Sequence, residues 1–237
     1  MVDANLIAEA QRKWDDTRDT SASRLLSESA VILCCDAIRL IASRLLCSGY
    51  PVADMIGVPY SDLDDRFERL RAGTGLEPPQ VLRMFWSTVG HIQLTDHREC
   101  KHDTYWADMG LDAIHSDGFH ICPCDDMYMD AMIWDADESA GLADDGFRYC
   151  FSPDLYEKDN CSGGGGYLLA RDSAWRPAVL GAVIPEPSIV AATTRYPMDL
   201  LSYARCVILE YGGFPGFAGR RNFDQMRDML TSGLPVF

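Results

Sequence analysis

Two short segments carry cysteine and histidine side chains whose donor atoms suit a metal ion. Cys100 and His102 flank Lys101, and Cys122 and Cys124 flank Pro123. Thiolate and imidazole groups are the usual ligands of a tetrahedral zinc ion. The one-residue spacing within each pair is tighter than the spacing that zinc sites normally use. We therefore expect ordinary thiols at these positions and no bound metal.

All five histidines fall in one part of the chain, among several aspartates. The histidines are His91, His97, His102, His115 and His120, and the aspartates are Asp103, Asp108 and Asp112. Such a group is compatible with a hydrolase or a metal site. The chain lacks a Gly-x-Ser-x-Gly nucleophile turn and the Pro-Cys-x-x-Cys motif that nucleobase deaminases combine with His-x-Glu. A hydrolase that uses segment 91–120 is therefore the less favoured alternative, and we expect no enzymatic activity and no catalytic residue.

Four consecutive glycines, Gly163–Gly166, raise the question of a phosphate-binding loop. The run lacks the Lys-Ser/Thr pair of such loops, and a predicted strand follows it instead of a helix. These glycines favour a tight turn in a hairpin. We expect no cofactor.

The negative charge of the chain is concentrated in one stretch. The 237 residues carry a formal net charge of -15. Between Asp96 and Asp145, fourteen Asp and Glu residues accompany only Arg98 and Lys101. An acidic field repels nucleic acid phosphates and anionic lipids and attracts basic proteins. We therefore expect a basic protein partner, and neither nucleic acid nor membrane.

A predicted helix, Asp125–Ser139, lies inside this stretch and is acidic at both ends. Carboxylates near the carboxyl end of a helix oppose its dipole, so local helix stability does not explain them. Acidic residues that destabilise their own helix indicate a role outside it, such as contact with basic side chains of a partner. The predicted partner-binding residues are Asp125, Asp126, Asp130, Asp135, Asp137, Glu138, Asp144 and Asp145.

Hydrophobic periodicity predicts helices separated from short strands. The predicted helices are Asn5–Thr17, Ser23–Ser48, Ser61–Ala72, Pro79–Val89 and Pro197–Tyr211, besides Asp125–Ser139. The predicted strands are His91–Leu94, Gly118–Cys122, Phe147–Phe151 and Gly166–Ala170. Because helices and strands do not alternate, the pattern favours an α+β fold with a mainly antiparallel sheet and helices packed around it.

The long helix Ser23–Ser48 is amphipathic, and Gly49 and Pro51 are expected to end it. Its predicted inward stripe consists of Leu26, Ala30, Leu33, Ala37, Leu40, Ile41 and Leu45. We interpret residues 1–50 as an N-terminal helical extension packed on a domain of residues 51–237. The polar N-terminus indicates no signal peptide, and nine cysteines without a regular framework suggest free thiols. We therefore expect a cytoplasmic protein.

Four segments, in this order, resemble one protein superfamily. The first contains Phe67, Leu70, Gly75–Pro79, Phe85, Trp86, Val89 and Gly90, and the second is Cys122-Pro123. The third carries Pro153, Asp154, Lys158, Asn160, Ser162 and Gly163. The fourth is a terminal helix that ends in Gly212, Gly213, Phe214, Pro215 and Gly216. Over about Tyr60 to Phe217, the chain resembles the SUKH superfamily, which includes yeast cell-wall-assembly regulators and bacterial immunity proteins.

The resemblance implies an α+β fold without catalytic machinery, in which these motif residues have structural roles. It also implies an intracellular immunity protein that neutralises a cognate polymorphic toxin, often a nuclease or deaminase, by stoichiometric binding. His91 and Tyr211 depart from the family pattern, which has Gly and Trp there. A regulatory or scaffold protein-interaction domain of the same fold is the other alternative.

Overall fold

In the computed structural model, the described residues are 20–50, 54–74, 80–94, 106–110, 118–121, 123–124, 148–150, 168–171, 177–180, 184–185, 193–194, 200–214, 217 and 220–237, together with residue 9. The helices are α1 (Thr20–Cys47), α2 (Leu63–Thr74), α3 (Gln80–Thr88), α4 (Leu200–Arg205) and α5 (Phe223–Thr231). A π-helical turn, Cys206–Glu210, continues α4. Among the described residues, no helix has the length and apolarity needed to cross a membrane.

The described strands are short and form three separate antiparallel groups. They are β1 (Ile92–Gln93), β2 (His120–Ile121), β3 (Arg148–Cys150), β4 (Leu168–Arg171), β5 (Pro177–Leu180), β6 (Ile184–Pro185) and β7 (Thr193–Thr194). β1 pairs with β2, β4 lies between β3 and β5, and β6 pairs with β7. The predicted mixture of helices and antiparallel strands is therefore confirmed.

The expected central sheet is not supported, because the described part of the chain is mostly helical. Strands of two to four residues bury little apolar surface, so helix packing supplies most of the described core. Strands β1 to β4 lie within the predicted strand segments or overlap them. Strands β5, β6 and β7 and the helix α5 have no counterpart among the sequence predictions.

Helix α1 is the central element of the core, although its inward face differs from the predicted one. Ala37, Ile41 and Leu45 are buried as predicted, whereas Leu40 is 42% exposed. The buried face also includes Val31, Cys34, Cys35, Ile38 and Ala42. The predicted and the observed apolar faces of α1 both have helical spacing. Packing against α3, α4 and α5 determines which of the two faces is buried. The long helix of the first fifty residues thus shares one hydrophobic core with the later helices.

Polar contacts fix the ends of α1 and α5 to each other. The backbone of Gly49 adopts φ +87° just after α1, the left-handed conformation that commonly ends a helix. Arg44, in the last turn of α1, donates from its guanidinium to the carbonyl oxygens of Leu230 and Ser232. These acceptors lie at the carboxyl end of α5, where carbonyl groups lack partners within the helix and a cation favours the dipole.

A third chain segment extends the β1–β2 pair. The amide of Gly57 donates to the carbonyl of His91, and the amide of Gln93 donates to the carbonyl of Met55, each at 2.9 Å. Ile56 therefore pairs with Ile92 in antiparallel orientation. Helix α3 runs directly into β1, and Leu82, Phe85 and Trp86 on α3 are fully buried. This small ladder connects the helical core to the sites that the sequence analysis singled out.

Candidate partner-binding surface

The predicted acidic binding residues lie outside the described part of the chain. This applies to Asp125, Asp126, Asp130, Asp135, Asp137, Glu138, Asp144 and Asp145, and to the predicted helix that carries six of them. The motif residues Pro153, Asp154, Lys158, Asn160, Ser162, Gly163, Pro215 and Gly216 also lie outside it, as does the predicted helix Asn5–Thr17 apart from Glu9.

Charge is distributed unevenly between the described residues and the remaining sequence. Acidic and basic residues are nearly balanced in number within the described ranges, so the negative excess of the chain, -15 in total, belongs to the other segments. Several of the described charges form ion pairs at the surface, including Asp36 with Arg39 and Arg227 with Asp224 and Asp228. Exposed pairs of this kind contribute at most about 1 kcal/mol each. The described helical core is therefore close to electrically neutral.

Two arginines, one on α2 and one on α3, are held on aromatic rings. The guanidinium carbon of Arg66 lies 4.1 Å from the ring centre of Tyr60, and Arg66 Nε donates to Asp62 Oδ1 at 2.8 Å. This hydrogen bond lowers the pKa of Asp62. The guanidinium carbon of Arg83 lies 4.7 Å from the ring centre of Phe67, and its Nη2 donates to Asp64.

The sequence analysis did not identify the contacts of these two arginines. The i, i+4 spacing of Asp62 and Arg66 was the available signal. The pairing of Arg83 with Asp64, by contrast, depends on how two helices pack.

The family-motif residues within the described ranges come together around the β1–β2 ladder. Gly90 is buried just before β1, and a side chain there would overlap the carbonyl oxygen of Val58. Gly212 and Gly213 adopt φ +62° and +89° at the end of the π-helical turn. The carbonyl of Gly213 accepts a 2.7 Å hydrogen bond from the amide of Phe119, next to β2. Two motifs that are far apart in the sequence therefore meet at one ladder.

An aromatic cluster lies beside this junction and joins distant parts of the chain. Trp106 is fully buried, with its ring centre 5.0 Å from those of Phe214 and Phe217 and 5.3 Å from that of Tyr50. The hydroxyl of Tyr50 donates to the carbonyl of Leu94 at 2.8 Å in a buried position. Stacked and edge-on ring pairs at these distances add to the stability gained from burial. Tyr50, Phe214 and Phe217 therefore serve packing in this structure.

The structure places two of the five histidines on one face of the ladder. Gln93 lies opposite His120 in the β1–β2 register, so these two side chains share a face. Side chains alternate between the two faces along a strand, which places His91 on the same half-exposed face as Gln93. The imidazole of His91 lies against the α-carbon of Gly57, on the side of β1 away from β2. Asp108 is exposed, whereas His97, His102, His115, Asp103 and Asp112 lie outside the described residues.

Most of the described cysteines are at least partly buried, whereas Cys47 is exposed. Burial raises the pKa of Cys34 well above its usual range and that of Cys35 to about 12. Burial and the nearby Glu210 carboxylate raise the pKa of Cys206 to about 12. Cys124 is buried, whereas Cys100, His102 and Cys122, the other residues weighed as metal ligands, lie outside the described residues. Within the described ranges, no group of three potential metal-ligating side chains occurs.

Comparison with known proteins gives no relative: no family model, no curated protein and no solved structure matches this chain.

Proposed function

We propose that this chain is a SUKH-like immunity protein, which neutralises a cognate polymorphic toxin by forming a stoichiometric complex with it. The ordered motifs of the sequence support the proposal. A further support is that Gly90, Gly212, Gly213 and Phe214 are all buried around one ladder, as expected of residues that maintain a common fold. In this proposal the fold is α+β, with helices around a mainly antiparallel sheet and a helical extension at residues 1–50.

One structural observation carries the most weight. Gly213 and Leu94 lie side by side, so that a Cβ atom on Gly213 would be 2.5 Å from Leu94 Cδ1. Leu94 belongs to the segment that follows the first motif, and Gly213 belongs to the last motif. A chance match of separate short motifs provides no reason for the two segments to meet. Their contact supports an interpretation in which the motifs describe one domain.

The proposed binding surface is the acidic stretch Asp96–Asp145, acting on a basic toxin domain such as a nuclease. The near-neutral described core makes this stretch the main source of negative potential in the sequence. Opposite charges across an interface accelerate association and exclude wrong partners more than they raise affinity. The protein acts in the cytoplasm by occupying the toxin, without catalysing a reaction.

The test begins with the C-terminal domain of the protein encoded by the neighbouring open reading frame. The proposal expects the two purified proteins to form a one-to-one complex in size-exclusion chromatography with light scattering. It also expects cells that express the domain to survive only when this chain is co-expressed. A stable complex without protection would favour the regulatory or scaffold alternative. Cell death despite equal expression, with no complex, would rule out immunity towards that domain.

A further inference from the structure

The β1–β2 ladder has an outer edge, formed by residues 54–58. Ile56 of this edge pairs with Ile92 of β1, and β1 pairs on its other side with β2. The two hydrogen bonds that join the edge to β1 use the carbonyl of Met55 and the amide of Gly57. Because the direction of the main-chain groups alternates along an antiparallel strand, the amide and carbonyl of Ile56 point away from β1. The outer edge therefore offers one donor and one acceptor to a further strand.

These two main-chain groups are open within the described structure. No hydrogen bond among the described residues uses the amide or the carbonyl of Ile56. Ile56 is half-buried, and Val58 is 82% exposed, although it is a large apolar side chain. Pro59 follows, and since proline has no amide donor, pairing along this edge ends there. An edge with open hydrogen-bonding groups and an exposed apolar side chain is suited to the addition of a short strand.

The side chains along the ladder indicate which strand fits. Ile121, Ile92 and Ile56 are cross-strand neighbours, and the first two are fully buried. A residue opposite Ile56 on an added strand would continue this row, so an apolar side chain fits there. Val58 favours a second apolar residue opposite it, and the exposed carboxylate of Asp54 favours Lys or Arg.

The same side chains argue against a second copy of this chain as the occupant. Antiparallel pairing of two outer edges about Ile56 would set Asp54 of each copy opposite Val58 of the other copy. Each carboxylate would then lie against an apolar side chain with no cation opposite it, which is an unfavourable environment for a charge. A strand from a different protein, with a basic residue opposite Asp54, avoids both mismatches.

We propose that residues 54–58 bind an extended segment of another protein by antiparallel strand addition. From its amino end, the segment carries an apolar residue opposite Val58, an apolar residue opposite Ile56, and Lys or Arg opposite Asp54, with one residue between successive positions. The central apolar residue donates its amide to the carbonyl of Ile56 and accepts a hydrogen bond from the amide of Ile56. This inference does not depend on toxin binding.

The test measures the binding of a fluorescent peptide, acetyl-Thr-Val-Thr-Ile-Thr-Lys-Thr-amide, to the full chain by fluorescence anisotropy. We expect saturable binding that weakens at least about tenfold when the amide nitrogen of the central Ile is methylated. Methylation removes the donor to Ile56 and leaves the charge and the side chains of the peptide unchanged. A peptide with Glu in place of Lys should also bind more weakly, because it places a like charge opposite Asp54.

Variants of the chain locate the binding at the outer edge. Val58→Lys should weaken binding at least about tenfold. Val236→Lys is the matched control, since it changes the charge equally at a valine that is 81% exposed, and it should leave the affinity unchanged. Asp54→Lys should weaken binding of the Lys peptide and strengthen binding of the Glu peptide. All three substitutions are at exposed positions, so circular dichroism should show an unchanged fold.

Amide hydrogen exchange with and without the peptide provides a second readout, in which the amide of Ile56 should exchange more slowly when the peptide is bound. Absence of binding at peptide concentrations up to about 1 mM would overturn the proposal. Equal affinities of the methylated and unmethylated peptides, or of the Val58→Lys and Val236→Lys chains, would also overturn it, because the peptide would then bind without using this edge.

Discussion

The backbone amide of Phe119 donates a 2.7 Å hydrogen bond to the carbonyl of Gly213, and this bond fastens the turn after the π-helical segment to the β1–β2 ladder. On the other side of the same turn, the amide of Gly213 donates to the carbonyl of Val207 at 2.9 Å. Leu94 fills the space where a side chain of residue 213 would lie. The turn therefore requires a residue that accepts positive φ and has no side chain.

Gly213→Ala should lower the free energy of unfolding by about 2–4 kcal/mol. Left-handed backbone costs an L-residue roughly 1–2 kcal/mol, and crowding against Leu94 adds about as much again. Gly49→Ala is the matched control, since Gly49 has a similar φ of +87° with no atom within 4 Å of a Cβ. Urea unfolding should show the smaller loss for Gly49→Ala. Equal losses would show that the contact with Leu94 adds nothing.

Tyr50→Phe should destabilise the fold by about 1–3 kcal/mol, because it leaves the buried carbonyl of Leu94 without its hydroxyl donor. Tyr50→Leu should cost more, since it also removes the ring that packs on Trp106 and Phe214. Thermal unfolding of the two variants and the parent protein measures both effects. A Tyr50→Phe variant as stable as the parent would show that the hydrogen bond contributes no net stability.

The buried thiols predict a loss of stability in alkaline solution. Cys35 keeps its proton in the folded protein up to a pKa of about 12, whereas the unfolded thiol ionises near its ordinary value of 9.0. The unfolded state therefore binds fewer protons above pH 9, and stability falls by about 1.4 kcal/mol per pH unit for this group until pH 12. Below pH 9 the contribution is fully present.

Urea midpoints at pH 8, 9 and 10 test this effect, and the decline should be shallower in Cys35→Ala than in the parent protein. Thiol labelling followed by peptide mapping gives an independent check. At pH 8 the exposed Cys47 should react with a maleimide or disulfide reagent in the native state, whereas Cys34, Cys35 and Cys124 should react only on unfolding. Rapid labelling of Cys35 in the folded protein would contradict its burial.

Reversal of charge in the acidic stretch should slow association with a basic toxin domain. Asp135→Lys combined with Asp137→Lys should reduce the association rate about tenfold or more at low salt and make it less dependent on ionic strength. Asp54→Lys with Asp65→Lys changes the net charge equally, at exposed positions in the near-neutral described region. Stopped-flow measurements should show a smaller effect for that control. Equal effects would indicate that net charge alone, and not the acidic stretch, guides binding.

The sequence predicts those elements that local rules determine. The spacing of Leu82, Phe85 and Trp86 predicted the buried face of α3, and Gly49 marked the end of α1 correctly. The predicted inward face of α1 was wrong at Leu40. Two sets of apolar residues on this helix fit the helical period, and tertiary packing determines which set is buried. Helix α5 was missed, although Phe223, Met226 and Leu230 recur at the i, i+3, i+7 spacing of an amphipathic helix.

The residues singled out as candidates for a functional site illustrate the same limit of sequence-based prediction. Alternation along β1 and β2 predicts which histidines share a face, once the register of Gln93 with His120 is known. The register itself depends on long-range pairing that periodicity does not encode. The pairing of Arg83 with Asp64 and the burial of Phe237 also follow from packing between elements, so neither was predicted. The acidic partner surface stays a prediction.

The contact of Arg44 with the end of α5 also has a kinetic consequence. Helix α1 is made well before α5, yet its buried face packs on α5, and Arg44 finds its acceptors, Leu230 and Ser232, 186 and 188 residues further along the chain. Until then the apolar side of α1 lacks part of its covering, and contacts of such long sequence separation form slowly. The nascent chain should therefore depend on chaperones during translation, and its core should close only after α5 has left the ribosome.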